Sequence, residues 1–159
     1  MTTAISIRCA EAIDAAEIAR VLEVAFSEYR PLYTTQAFAA TTPTDERVLL
    51  RFHEGPVWIA HQHEKVVGTV SARQDSDSIY IRGMAVLPEA RGQHIGVALL
   101  RNVEDFAQRH RCRRLFLSTT PFLDRATRLY ERYGFRRTDD GPHDLFGTPL
   151  FTMEKLLIS

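Results

Sequence analysis

The sequence predicts a mixed α/β fold: a single domain with a mixed central sheet and helices on both of its faces. Three apolar, strand-like segments follow one another in the middle of the chain, separated only by short polar turns. After them, strand and helix patterns alternate, which is typical of a sheet covered by helices. A chain of 159 residues, 45% of them apolar, can bury one core, so residues 1–159 are expected to form one domain.

The N-terminal part is expected to hold one strand and two helices. Residues 5–9 have strand character, and Asp14 with Glu17 resembles a capping box before an apolar stripe of helical spacing. Residues 27–43, rich in Tyr, Thr and Pro, are expected to be irregular. Thr44 is then expected to cap the second helix, which has two acidic residues in its first turn.

The three central strands are expected at residues 57–62, 66–73 and 76–87. Gly83 interrupts the third of them. An isolated glycine inside a strand indicates a bulge or a close approach of another backbone, and relief of packing against a helix is the alternative.

The C-terminal half is expected to alternate helices with short strands. The strongest helix pattern covers residues 93–108. A second apolar stripe of helical spacing follows, for which Thr120-Pro121 suits the start and Gly134 the end. Further strands are expected at residues 115–118, 135–138 and 150–156.

Charge and cysteine content limit the partners. Twenty acidic and twenty basic side chains cancel, and without a Lys/Arg block no nucleic-acid partner is expected. The local excess of positive charge at residues 109–114 fits either a solvated helix end or a contribution to binding a ligand phosphate.

Cys9 and Cys112 lack the spacing of metal ligands, so we expect no metal. Both are expected to be core residues of a reduced cytoplasmic protein. No apolar run approaches the ~20 residues that span a bilayer, so no membrane partner is expected.

The most informative segment is the loop from Pro88 to Gly96, between a strand and an amphipathic helix. Backbone N–H groups at a helix start are unpaired, and the helix dipole favours an anion there. The loop has no Lys-Ser/Thr after its glycines, which excludes a nucleoside-triphosphate loop, and it lacks the three glycines of a dinucleotide site. The sequence therefore predicts a diphosphate cradle of another kind.

Two motifs together resemble the GNAT superfamily of N-acetyltransferases. The first is the Pro-x-x-Arg-Gly-x-x-x-Gly pattern of residues 88–96, and the second is Leu-Tyr-Glu-Arg-Tyr-Gly-Phe at residues 129–135. The likeness is strongest over residues 79–138, and the order of elements fits nearly the whole chain. It implies a sheet in which two neighbouring strands splay apart and receive the pantetheine arm of acetyl-CoA.

The resemblance implies that acetyl-CoA is the co-substrate and that the main chain holds it. Met84 and Val86, with Ala85 between them, would bond the pantetheine amides. The residues expected around the pyrophosphate are Arg91, Gly92, Gln93, His94, Ile95, Gly96 and Val97.

Two positions depart from the family pattern. His94 stands where the family usually has glycine, and its side chain is expected to be tolerated if it points outward and φ stays negative. Leu123 stands where many members carry an asparagine that touches the cofactor arm, and Thr119 and Thr120 lie close enough to compensate.

The resemblance also implies the catalytic groups. Tyr130 would be the general acid that protonates the departing thiolate, and a plain core aromatic is the alternative. The Met84 N–H, freed by a bulge at Gly83, resembles an oxyanion-hole donor. A base, an ordered water or a desolvating pocket must make the amine neutral, and the sequence does not choose a base among Glu28, Asp75, Asp77, Asp144, His61 and His143.

The amine is expected to bind between residues 27–43 and the loop 141–149. The residues expected there, beside Asp144, are Tyr29, Arg30, Tyr33, His143 and Phe146. Arg30 would read a substrate carboxylate or form a surface ion pair. The expected function is direct transfer of acetyl to a primary amine, preferably of a small molecule. The alternatives are a silent acyl-CoA sensor and an acyltransferase for longer acyl groups; dimerisation stays open.

Overall fold

The computed structural model describes residues 4–157, so residues 1–3 and 158–159 of the expected domain lie outside the described part. The strands are β1 (Ile5–Cys9), β2 (Val57–Gln62), β3 (Lys65–Asp75), β4 (Ser78–Val86), β5 (Arg114–Thr119), β6 (Arg136–Arg137), β7 (His143–Leu145) and β8 (Thr148–Leu156). The helices are α1 (Ala15–Phe26), α2 (Thr35–Thr41), α3 (Asp45–Arg51), α4 (Ile95–Arg109) and α5 (Asp124–Arg132). Short 3₁₀ helices lie at Ala12–Asp14, Ser27–Leu32 and Pro88–Ala90.

The strands form one mixed sheet in the order β1-β2-β3-β4-β5-β8-β6, and β7 pairs with β8. Neighbouring strands run antiparallel except β4 and β5, which are parallel. A parallel pair needs a crossover, and α4 supplies it. The predicted mixed sheet is confirmed.

Helices cover both faces of this sheet, as predicted. Four consecutive residues of β2 and seven of β3 are buried, which requires cover on both sides. On one face α4 packs against the sheet, where Trp58 meets Phe106 edge-on at 5.7 Å between ring centroids. On the other face lie α1 and α3, and the side chain of Arg51 at the end of α3 reaches Gly83 of β4.

A bulge in β4 separates it from β5. Thr69 of β3 pairs with Ala85 and Ser71 pairs with Arg82, so Gly83 and Met84 together face the single intervening residue of β3. Gly83 has a φ of 59°, a conformation that glycine adopts without strain. A bulge bends its strand, and the predicted one at Gly83 is confirmed.

Three local expectations are wrong. Residues 27–43 are not irregular, because they contain a 3₁₀ helix and α2, whose first N–H groups are capped by Thr34. The capping box lies three residues earlier than expected, since Asp14 accepts the Glu11 N–H at 2.8 Å. The second C-terminal helix, α5, begins at Asp124, several residues after Thr120.

Other local expectations hold. Thr44 caps α3 by accepting the Arg47 N–H at 3.4 Å. Gly134 follows the C-terminus of α5 with a φ of 107°, as a C′ glycine does. Cys112 is buried as expected, whereas Cys9 is exposed and does not belong to the core.

Candidate active site

A cleft of about 1310 Å³ opens where β4 and β5 diverge. The two strands pair only as far as Tyr80 and Phe116, and neither is paired to the other beyond that point. The polar backbone groups that β4 turns toward β5 between Ile81 and Val86 therefore face the cleft without strand partners. An extended ligand with amide groups can complete the hydrogen bonding of this edge, as an added strand does.

The start of α4 lines the cleft and has the free N–H groups that an anion site requires. The first helical hydrogen bond runs from the Ala98 N–H to the His94 carbonyl at 3.1 Å. The N–H groups of residues 94–97 consequently have no helical acceptor, and the helix dipole adds positive potential. Gly92 has a φ of 84°, and a Cβ there would meet nothing within 4 Å, so the loop is open to a ligand.

His94 takes the conformation that a glycine would take. Its φ is 61°, so the expected negative φ is wrong. The side chain is exposed, as expected, and it makes no capping hydrogen bond to α4. Left-handed backbone costs a residue with a Cβ about 1–2 kcal/mol, although histidine tolerates it better than most. His94 thus has the backbone conformation of the glycine that the family usually carries at this position, although the residue itself differs.

Side chains of the loop attach it to the rest of the molecule. Gln93 accepts a hydrogen bond from the side-chain amide of Gln62 on β2 at 2.7 Å, and it does not line the cleft. The Arg91 guanidinium pairs with the Glu28 carboxylate of the 3₁₀ helix after α1, and Arg125 lies 3.9 Å from the same carboxylate. The other residues expected at the cofactor, Met84 to Val86 and Ile95 to Val97 included, line the cleft.

A threonine hydroxyl at the end of β5 lacks a partner among the described residues. Thr119 is 4% exposed, and its Oγ1 has no hydrogen bond within residues 4–157. Leaving such a group unsatisfied costs about 1–3 kcal/mol. Thr120, whose hydroxyl lies near the Tyr33 phenol, also lines the cleft, and so does Leu123. The cleft thus offers an unused hydroxyl beside an unused strand edge, which fits the amide-bearing arm of coenzyme A.

Tyr130 belongs both to the core and to the cleft lining. Its ring packs 5.7 Å from the ring of Phe135, and the residue is 7% exposed. Burial raises the pKa of its phenol, and the nearby Tyr33 raises it further. The hydroxyl therefore keeps its proton at neutral pH and can act as a donor. Its catalytic role, like that of the Met84 N–H, stays a prediction.

The described lining of the cleft contains arginines and no carboxylate. The arginines are Arg51, Arg82, Arg91, Arg101, Arg125, Arg128 and Arg132. None of the six candidate bases, including Glu28 and His61, belongs to that lining. The positive potential favours a polyanionic ligand, and it leaves the amine without an obvious side-chain base.

The structure brings only part of the expected amine site into the cleft. Tyr29 and Tyr33 line it, and burial raises the pKa of Tyr33 to about 12. Arg30 instead lies over the ring of Phe38 at 4.9 Å. His143 lies 3.2 Å from Asp140, outside the lining. Phe146 is likewise outside it and 57% exposed. The basic run 109–114 also lies away from the cleft.

Apart from Arg91, the arginines of the described cleft lining were not expected from the sequence. Arg125, Arg128 and Arg132 have the spacing of one helix face, which a search for basic helix faces could have found. Arg51 gives no such signal, because its approach to β4 depends on how α3 packs across the sheet.

Within residues 4–157 no group of three His, Cys, Asp or Glu side chains could hold a metal ion. The same part of the chain has no helix of the length and apolar character needed to cross a membrane.

A parallel strand pair that splays apart, a helix start with free N–H groups and a buried tyrosine in the lining of the gap define a fold of the acetyltransferase type. Residues 18–135 match the family model described as Acetyltransferase (GNAT) family. The chain belongs to this family, as the sequence motifs indicated.

Solved structures share the fold at low sequence identity. The PaiA N-acetyltransferase from Thermoplasma acidophilum, in complex with coenzyme A, has a TM-score of 0.83 at 18% identity. The alignment covers 96% of this chain and 99% of that one. YncA from Salmonella typhimurium with its cofactor acetyl-CoA has a TM-score of 0.75 at 22% identity, covering 98% and 95%.

Curated relatives match about half of the chain. The N-acetyltransferase named camello of Xenopus laevis is 33% identical over 84 residues, 51% of this chain and 38% of the relative. The N-acetylaspartate synthetase of Danio rerio is 38% identical over 85 residues, 52% of this chain and 30% of the relative. The matches thus span about a third of the length of these relatives.

Proposed function

We propose that this protein transfers the acetyl group of acetyl-CoA directly to a primary amine. The observation that carries the proposal is the continuous path from the α4 start, along the unpaired edge of β4, to Tyr130. An anion site, an amide-binding strand edge and a proton donor follow one another there in the order of a phosphorylated pantetheine thioester.

The comparisons support the choice of donor and acceptor. Two structures of the same fold are described as complexes with coenzyme A or acetyl-CoA. The curated relatives are named as an N-acetyltransferase and an N-acetylaspartate synthetase, and both names denote acetylation of nitrogen. A primary amine as the acceptor therefore agrees with the fold, with the residues of the cleft and with the names of the relatives.

Each residue of the path has a task in this proposal. The N–H groups of residues 94–97 bind the pyrophosphate, and the β4 edge with Thr119 orients the arm. The Met84 N–H donates to the acetyl oxygen as negative charge develops on it. In the transfer, a nitrogen–carbon bond forms as the carbon–sulfur bond breaks, Tyr130 gives its proton to the sulfur, and the nitrogen loses one proton to water. Solvent returns a proton to Tyr130.

The amine must lose a proton without a carboxylate in the cleft. An alkyl ammonium with a pKa near ~10.4 lies about 4.6 kcal/mol from its neutral form at pH 7. Positive charge nearby disfavours the ammonium form, so the arginines of the lining lower the pKa of a bound amine. Water then suffices as the proton acceptor.

Binding and turnover test the proposal separately. Titration calorimetry with acetyl-CoA should give association, and release of free thiol in the presence of a primary amine should give turnover. Acetyl-, propionyl- and succinyl-CoA are compared, and acetyl-CoA should give the highest kcat/KM. No association with any of these thioesters would overturn the proposal. Association without transfer to a broad panel of amines would favour the sensor instead.

A further inference from the structure

Arg51 is a cation beside the bulge of β4. It is the last residue of α3, and its Nη1 lies 2.6 Å from the position that a Cβ on Gly83 would occupy. The next residue along β4 is Met84, whose N–H faces the reacting end of the cleft in the proposed function. Arg51 lines this cleft together with Tyr29 and Tyr33, and along β4 it lies on the side of Met84 that is farther from the α4 start.

The Arg51 guanidinium has no counter-charge within residues 4–157. It forms no ion pair and no hydrogen bond there, whereas the neighbouring Arg82 is paired with Glu54. Burial and repulsion from Arg82 lower the pKa of Arg51 to about 10. A partly buried charge without a partner is costly, so its presence in a cleft indicates a ligand that supplies the partner.

The other cleft arginines have different surroundings. Arg91 is paired with Glu28 beside the α4 start. Arg101 lies on α4, whose start is the expected phosphate site, and Arg128 and Arg132 lie on α5 on either side of Tyr130. Arg51 instead lies beside Gly83, the neighbour of Met84, so its unpaired charge belongs to the reacting end of the cleft in the proposed function.

We propose that Arg51 binds a carboxylate of the acceptor, so that the substrates are primary amines carrying a carboxylate a few bonds from the nitrogen. Guanidinium groups bind carboxylates through two parallel hydrogen bonds, which fixes direction as well as distance. A carboxylate held beside Gly83 keeps the amine near Met84 only if few bonds separate the two groups. Polyamines and lysine-rich peptides are poor substrates, because the described lining has no carboxylate for a second cation. This inference rests on the proposed function.

Matched acceptor pairs test the proposal. L-Alanine is compared with ethylamine and L-phenylalanine with 2-phenylethylamine, in each case with saturating acetyl-CoA and detection of the released thiol. The wild-type kcat/KM is expected to be about 10–100-fold higher for the carboxylated member of each pair. Arg51→Met should remove this preference chiefly through KM, and Arg51→Lys should restore part of it. Arg47→Met, an exposed change on the same helix, is the control and should keep the preference.

The outcomes separate this proposal from the proposed function. Transfer to both members of a pair at equal kcat/KM, or a preference that survives Arg51→Met, overturns the carboxylate site and leaves acetyl transfer standing. If acetyl-CoA binds but no amine is acetylated, the proposed function fails. In that case the carboxylate site is tested by the thermal unfolding of the CoA-saturated protein with and without N-acetyl-L-alanine. Stabilisation of wild type but not of Arg51→Met supports the site, and equal response of both overturns it.

Discussion

Gly96, in the first turn of α4, lies so close to Leu129 of α5 that a Cβ atom on Gly96 would come within 2.7 Å of Leu129 Cδ2. The same glycine carries one of the free N–H groups of the anion site. The absence of a side chain at residue 96 thus serves two purposes, since it lets α4 approach α5 and leaves the amide open to a ligand. Gly92 differs, because only its φ of 84° requires glycine.

Gly96→Ala is expected to lower the free energy of unfolding by about 1–3 kcal/mol, because overpacking forces Leu129 or the start of α4 to move. The movement displaces the free N–H groups, so acetyl-CoA binding should weaken severalfold. Thermal unfolding and titration calorimetry measure the two effects. In the Gly96→Ala/Leu129→Ala double variant, the cost should be smaller than the sum of the single costs. Strict additivity would contradict the contact.

His94→Gly is expected to stabilise the protein. The histidine bears a left-handed cost of about 1–2 kcal/mol, and glycine adds about 0.5–1 kcal/mol of unfolded-chain entropy. The net gain lies between about 0 and about 1.5 kcal/mol, and each 1 kcal/mol raises Tm by about 2–4 °C for a chain of this size. Gly92→Ala, with the reverse change at a φ of 84°, is the control and should lower Tm. A lower Tm for His94→Gly would mean that the imidazole makes a stabilising contact.

The features that depend on neighbouring residues could be predicted from the sequence. The strand, glycine loop and amphipathic helix from which the anion site is predicted all occur around Gly92, and anion binding itself stays a prediction. The bulge at Gly83 could be predicted for the same reason, because an isolated glycine weakens a strand and often marks a bulge. Both are local properties of the backbone.

The features that depend on packing could not be predicted. Arg51 meets Gly83 only because α3 lies across the sheet, and no spacing along the chain encodes that contact. Arg30 and His143 sit in segments that border the cleft, yet contacts with Phe38 and Asp140 hold them elsewhere. The positive φ of His94 is imposed by the loop geometry, against the residue's own preference.

Tyr130→Phe is expected to lower kcat by roughly 10–10⁴-fold, because the variant cannot protonate the departing sulfur. The ring and its packing on Phe135 remain, so the Kd for acetyl-CoA should change little. Single-turnover kinetics measure the chemical step, and calorimetry measures the binding. An unchanged kcat, with chemistry shown to limit the rate, would assign Tyr130 to the core alone.

The protein is expected to lose stability above pH 10. Burial raises the pKa of Tyr33 and Tyr133 to about 12, and it also raises that of Tyr130. A phenol whose pKa is raised in the folded state contributes its full stabilisation below the unfolded-state pKa near 10. This contribution is lost as the pH rises toward the folded-state pKa. Arg51, with its pKa lowered to about 10, and Arg82, whose pKa is also lowered by burial, oppose the trend.

Chemical denaturation at several pH values tests this alkaline loss. Between pH 10 and 11.5 the free energy of unfolding should fall. This decrease should be smaller in Tyr130→Phe than in Tyr133→Phe, because Tyr133 is only half-buried. A constant free energy of unfolding across this range would show that the phenols are solvated in the folded state.

Thr119→Val is expected to change stability and binding in opposite directions. The Thr119 hydroxyl is buried without a partner in the described structure, and valine has nearly the same shape, so the unliganded variant should gain about 1 kcal/mol. Acetyl-CoA should bind severalfold more weakly, because the hydroxyl then cannot bond the pantetheine arm. Thr127→Val is the matched control: its hydroxyl also lacks a partner, but the residue does not line the cleft. That control should gain stability with unchanged affinity. If Thr119→Val bound acetyl-CoA as tightly as wild type, the end of β5 would not contact the arm.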